Sequence, residues 1–126
     1  MNAPLLGLRT VVYMVPDLAT AKEWYNNVLG ITPYFDEVFY VGYNVGGYEL
    51  GLHPAEEAAT KGNHGGTAYW GVENVQEVYD RLLAAGATTA EEPTEVGGGI
   101  VIASVYDPWN NPFGIIYNPH FSLPQA

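Results

Sequence analysis

Val15-Pro16-Asp17-Leu18-Ala19-Thr20-Ala21-Lys22-Glu23-Trp24-Tyr25-Asn26-Asn27-Val28-Leu29-Gly30 decides the fold, because it holds the start, the buried face and the stop of one helix. Asp17 is a short side chain able to accept from the first free backbone amides, which makes it a helix cap. Leu18, Ala21, Tyr25, Val28 and Leu29 then share one face, and Gly30 supplies the left-handed residue that ends the helix. Upstream, Leu8 to Val15 is apolar and β-branched, the composition of a buried strand. Downstream, Phe39 to Val45 and Tyr48 to His53 alternate across Gly46-Gly47, a hairpin signal. The first half reads as strand, helix, then two or three antiparallel strands.

A shift of 57 residues repeats the pattern, with Thr10 falling on Thr67, Val15 on Val72 and Asp17 on Asn74. Thr67 to Val72 is the second strand, and Asn74 with Glu77 forms a capping-box pair. Val75, Val78, Tyr79, Leu82 and Leu83 make the apolar helix face, ended by Gly86. Ile100 to Tyr106 and Phe113 to Tyr117 are the returning strands. The chain is therefore a duplicated βαβββ unit, α+β in class, within one domain spanning residues 1–126. Module one covers about 5–55, a linker rich in Ala, Glu and Gly about 54–66, and module two about 67–120. Gly97-Gly98-Gly99 precedes a strand and lacks a neighbouring Lys, which favours a mobile loop at a cavity mouth over a phosphate cradle.

Composition removes several classes of function. With no cysteine there are no disulfides, thiolate nucleophiles, iron–sulfur clusters or cysteine zinc sites. Fourteen acidic residues against four scattered cations, Arg9, Lys22, Lys61 and Arg81, give a net charge of −10 and no basic stripe, so nucleic acid is not an expected partner. No apolar run approaches the roughly 20 residues that span a bilayer, and Met1 to Leu8 lacks the basic region of a signal peptide. A cytoplasmic protein with no membrane partner is expected.

The two strand-to-helix motifs, together with the closing Asp107-Pro108-Trp109-Asn110-Asn111-Pro112-Phe113-Gly114-Ile115-Ile116-Tyr117, resemble the vicinal oxygen chelate superfamily. This superfamily contains glyoxalase I, bleomycin-resistance proteins and extradiol dioxygenases. The resemblance runs from Leu8 to about Pro119 and implies two βαβββ modules forming a curved mixed sheet with a concave cavity. It also implies a homodimer. In metal-dependent members four ligands, usually His, Gln or Glu, stand on the concave face. The matching positions here are Thr10, Glu49, Thr67 and Gly114, of which Glu49 alone is a good donor for a divalent metal.

Alternation divides each strand into two faces. Val11, Tyr13 and Val15, Leu50 and Leu52, Ala68, Trp70 and Val72, and Phe113, Ile115 and Tyr117 form the apolar set under the helices. The opposite parity carries Thr10, Val12, Glu49, His53, Thr67, Tyr69 and Gly114, the expected ligand-binding residues, with Tyr43 and Tyr106 as further aromatic candidates. His53 lies four residues from Glu49, about 13 Å along a strand, too far to share one ion. Trp24 and Tyr25 match the superfamily's aromatic pair at the helix end and are read as structural. These residues favour a metal-free protein, with no cofactor, that binds an apolar or cationic small molecule in the manner of bleomycin-resistance proteins. The alternative is a glyoxalase-like lyase or isomerase, or a dioxygenase-like enzyme, in which Glu49 is a metal ligand or a catalytic base with a pKa raised by burial.

Overall fold

A computed structural model describes residues 8–55 and 67–121. The chain divides into two compact units, Met1–Ala58 and Ala59–Ala126. The first contains β1 (Thr10–Val15), α1 (Leu18–Leu29), β2 (Phe35–Glu37), β3 (Tyr40–Val45) and β4 (Tyr48–Pro54). The second repeats this order with β5 (Tyr69–Gly71), α2 (Val75–Ala84), β6 (Thr88–Gly97), β7 (Ile100–Tyr106) and β8 (Pro112–Tyr117). Each is a βαβββ unit with its own four-stranded mixed sheet, ordered β1-β4-β3-β2 and β5-β8-β7-β6. The first strand runs parallel to the last, and the hairpin strands run antiparallel. The linker around 54–66, with His64, lies almost wholly outside the described residues.

In the first unit Asp17 caps α1 by accepting from the Ala19 and Thr20 amides at 3.1 and 3.4 Å. The Thr20 hydroxyl also donates to it, and this bond leads the effects that hold the Asp17 carboxyl below the usual range. Gly30, at φ 70°, ends the helix by donating to Asn26 O. Ala21 and Tyr25 are fully buried on the helix face. Register places Tyr13 opposite Leu52, Val11 opposite Leu50, and Val41 and Tyr43 opposite Leu52 and Leu50. One sheet face therefore packs against α1, with the Tyr25 ring 6.0 Å from Tyr13 and 4.8 Å from Trp24. The Gly46-Gly47 hairpin forms as expected, both glycines at positive φ.

This register corrects the reading of Tyr43. It shares the core parity with Leu50 and is fully buried, its hydroxyl donating to Asn26 Oδ1 at 2.7 Å and Lys22 O at 3.1 Å. Burial pushes its phenol pKa strongly upward. Tyr43 is a core residue, with no surface to offer a ligand.

In the second unit Asn74 accepts from the Glu77 amide at 3.0 Å, and Val75, Tyr79 and Leu82 pack inward. Ala103, Val105, Phe113 and Ile115 complete its core. Before β8 the chain turns around buried Asp107, whose carboxylate accepts from the Trp109 and Asn111 amides and from Asn111 Nδ2. Three expectations change. Strand β5 is shorter than Thr67 to Val72, and Thr67 precedes it. Tyr117, assigned to the core, is 39% exposed at the end of β8. The expected mobile glycine loop is the bonded turn between β6 and β7: Glu95 accepts from the Gly97 and Gly99 amides, and His120 Nε2 meets Gly98 O at 2.8 Å.

Among the described residues no helix is long and apolar enough to cross a membrane. Because Asn74 satisfies an otherwise free amide at the start of α2, Asn74→Ala is expected to lower unfolding stability by about 1 kcal/mol. Urea denaturation measures this, and Asn74→Asp, which keeps the acceptor, should recover most of the loss.

Candidate functional site

The face of the first sheet opposite α1 is built around Glu49. Strand β4 places Glu49 directly between Thr10 on β1 and Asn44 on β3. One step of alternation further, Val12, Gly51, Gly42 and Phe35 lie abreast across β1, β4, β3 and β2. The Gly42–Gly51 pair leaves the centre of this face without side chains, and two tyrosines lie over it. A Cβ at Gly51 would come within 2.6 Å of Tyr40 Cζ, and a Cβ at Gly42 within 3.3 Å of Tyr34 Cε1.

Both phenols converge on the carboxylate. Tyr34 Oη donates to Glu49 Oε1, while Tyr40 Oη and Thr10 Oγ1 donate to Oε2, the latter at 2.9 Å. Hydrogen bonds to the charged form stabilise it. The Tyr34 bond, then the Tyr40 bond, therefore hold the Glu49 pKa below the usual carboxylate range, against a smaller opposing effect of burial. The expectation of a pKa raised by burial is overturned, because three hydroxyl donors outweigh the partial loss of water. The phenols move the other way. The Tyr34 pKa is raised chiefly by its bond to Glu49, and that of Tyr40 chiefly by burial and then by its own bond to Glu49.

The other expected site residues are distributed as follows. Val12 stands beside Gly51 on this face and is 43% exposed. His53 is exposed at the end of β4, its Nδ1 2.8 Å from Pro54 O. In the second unit Thr67 is exposed ahead of β5, and Tyr69 lies opposite Gly114. A Cβ on Gly114 would lie 2.6 Å from Tyr69 Cδ1, so here too a tyrosine covers a glycine. The structure thus joins Thr10 to Glu49, and Tyr69 to Gly114. Tyr106 is half-buried on β7. Tyr34 and Tyr40 were not expected. Gly42 and Gly51, at one parity of the hairpin, mark the bare patch that the rings fill, but their spacing alone does not say which side chains fill it.

The sequence profile of the Glyoxalase/Bleomycin resistance protein/Dioxygenase superfamily matches residues 7–115. The chain belongs to this superfamily. Solved structures agree in fold. A glyoxalase-related enzyme from Fulvimarina pelagi is 20% identical with a TM-score of 0.77, the match covering 95% of this chain and 94% of that one. A glyoxalase/bleomycin resistance protein from Albidiferax ferrireducens T118 is 27% identical with a TM-score of 0.68, over 89% and 98% of the two chains. The fosfomycin resistance protein FosX from Listeria monocytogenes, complexed with Mn(II) and sulfate, is 17% identical with a TM-score of 0.75, over 92% and 93%. No curated protein matches the chain.

The superfamily's metal asks for donors that these positions do not offer. The Thr10 hydroxyl donates to Glu49, whose two oxygens accept three hydroxyl bonds in all. Gly114 has no side chain, and Thr67 offers only a hydroxyl, a poor ligand beside imidazole or carboxylate. Among the described residues no three His, Asp or Glu side chains gather at one point. Apart from Glu49, none of these positions carries a good donor for a divalent transition metal.

Gly51→Ala is expected to lift Tyr40 off the sheet and raise the Glu49 pKa toward its ordinary value of 4.5. Carboxyl ¹³C NMR titration reads the shift, and Gly71→Ala, where an added Cβ meets nothing within 4 Å, is the control. The depressed pKa also makes the Glu49 contribution to stability present at neutral pH and lost as pH falls from about 4.5 through the lower folded value. Glu49→Gln should therefore flatten the acid limb of the stability profile.

Proposed function

We propose that the chain is a metal-free binding protein for a small organic molecule, apolar or cationic, held on the Glu49 face of the first unit. The observation that carries this reading is an ionised, partly buried carboxylate bonded by three neutral hydroxyls and bordered by exposed aromatic surface. Its negative charge is spread over hydroxyl donors yet not neutralised, and a cationic or hydrogen-bond-donating group would complete it. Val12, Phe35 and Phe39 supply apolar area for the rest of the molecule. The poor fit of the donor set to a divalent metal supports the metal-free form of the reading.

The alternative is a lyase, isomerase or dioxygenase that uses Glu49 as a base or a metal ligand. A base working near neutral pH gains from a raised proton affinity. Here the hydroxyl bonds lower it, which weighs against that role.

A homodimer is part of the proposal. Strand β2 is an edge strand of the first sheet with its three residues exposed, and Val38 is 92% exposed at the adjoining turn. Such an edge is commonly covered by a second copy. Light scattering at tens of micromolar should give twice the chain mass, and a monomer would remove this part of the proposal.

Native mass spectrometry of freshly purified protein should show a copurified organic ligand or none, and no stoichiometric metal. For a cationic ligand found by thermal-shift screening, Glu49→Gln should weaken binding by about 1.5 to 3 kcal/mol, the range for a hydrogen bond to a charged group. Nickel, zinc or iron that survives dialysis and is lost on Glu49→Ala would replace this reading with the metal-dependent one.

A further inference from the structure

The cluster around Glu49 has a fixed hydrogen-bond polarity. An ionised carboxylate only accepts, and a hydroxyl has one hydrogen to donate. Thr10 and Tyr40 give that hydrogen to Glu49 Oε2, and Tyr34 gives its own to Oε1. None of the three hydroxyls keeps a hydrogen for a bound molecule. What remains is one of the carboxylate's roughly four lone-pair positions, together with the acceptor lone pairs of the three hydroxyl oxygens. The cluster is therefore a patch of acceptors around one negative charge. Asn44, beside Glu49 on β3, does not alter this, because its side chain is drawn to the hairpin turn, where Oδ1 accepts from the Gly47 amide at 2.8 Å.

Oε2 accepts two hydroxyls and Oε1 one, so the open carboxylate position is on Oε1, next to Tyr34 Oη. These two oxygens stand one hydrogen bond apart, and Tyr34 is 63% exposed. A head group with two or more N–H bonds can donate to both, and bonds between ionised partners are roughly twice as strong as neutral ones. Any N–H that meets no oxygen of the cluster keeps its water, since Thr10 and Tyr34 both lie open to solvent. Water also occupies the acceptors in the free protein, which reduces the gain without reversing its sign. A carboxylate or phosphate would meet only acceptors and a like charge. A permethylated ammonium has the right charge and no hydrogen to donate. On the neighbouring row of the same face, Val12 and Phe35 flank the two glycines and offer apolar contact to a short body.

Taking the Glu49 face as the ligand site, we infer that its ligand class is an organic cation whose head carries two or more N–H bonds, a primary ammonium, amidinium or guanidinium. The head donates to Glu49 Oε1 and Tyr34 Oη, and the apolar body lies along Val12 or Phe35.

The test compares benzylammonium, benzyltrimethylammonium and neutral benzyl alcohol by NMR titration of the full-length protein at pH 7. The Gly42 and Gly51 amide signals report binding on this face. The two cations share charge and body, so their ratio isolates the N–H bonds. Benzylammonium should bind about fivefold or more tightly than benzyltrimethylammonium, somewhat less than a fully desolvated hydrogen bond to a charged group would give. Glu49→Gln should weaken benzylammonium by about tenfold and bring the two cations within about twofold of each other. Cooperative thermal unfolding verifies that the variant is folded, and the wild-type ratio decides the matter by itself if it is not. A wild-type preference below about fivefold, or one that survives Glu49→Gln, overturns the inference and leaves the proposed function standing so long as any probe moves the two glycine signals. If no probe moves them, the inference and the proposed function fall together.

Discussion

The Gly42–Gly51 pair is the constraint on which the first unit's chemistry depends. Two neighbouring strands each present a position with no side chain at the same point of one face, and the space is filled by rings from Tyr34 and Tyr40. Any larger residue at 51 would overlap Tyr40, which would then lose its bond to Glu49. A carboxylate that would otherwise stand as an ordinary strand residue becomes the centre of a hydroxyl cluster, which holds its pKa below the usual range. The same device recurs in the second unit, where Tyr69 covers Gly114. A glycine on a sheet face is here a seat for an aromatic ring, and so has a positional role despite weakening the strand.

The opposite face gives this arrangement its rigidity. Tyr13, Val41, Leu50, Leu52 and Tyr43 are almost wholly buried against α1. A one-residue slip of β4 would exchange that core for the Glu49 row, so burial on one side fixes register on the other. Tyr43 strengthens the lock by donating to Asn26 and Lys22 O on the helix. Lys22 in turn pairs with Asp36 on β2 at 2.9 Å, although both partners are partly exposed and the pair contributes little to stability.

Most of the fold was legible in the sequence because both units use strong local signals. Asp17 and Asn74 cap, Gly30 and Gly86 stop, and Gly46-Gly47 turns, each through its own backbone chemistry. Strand β6 was not legible, since Thr88 to Gly97 is acidic, contains Pro93 and shows no alternation of apolar residues. Of the site, Glu49 and Thr10 were reachable by alternation and by the resemblance. Tyr34 and Tyr40 were not, because one precedes a three-residue strand with every residue exposed and the other opens β3, and both act across strands. Tyr43 was misread because alternation within a strand separates two faces without saying which one meets the helix. Its partner Leu50 settles that only once the register is known.

Strand β6 shows how the chain protects the longest edge strand among the described residues. It is the outer strand of the second sheet, ten residues long, and every side chain but that of Pro93 is exposed. A rim of that length is a template for unwanted strand addition. Here Pro93 removes one amide donor, three register irregularities break the run, and Glu91, Glu92 and Glu95 charge it. Fibril growth by edge pairing would have to stack these carboxylates in register, so this rim favours a protein that stays dispersed when concentrated.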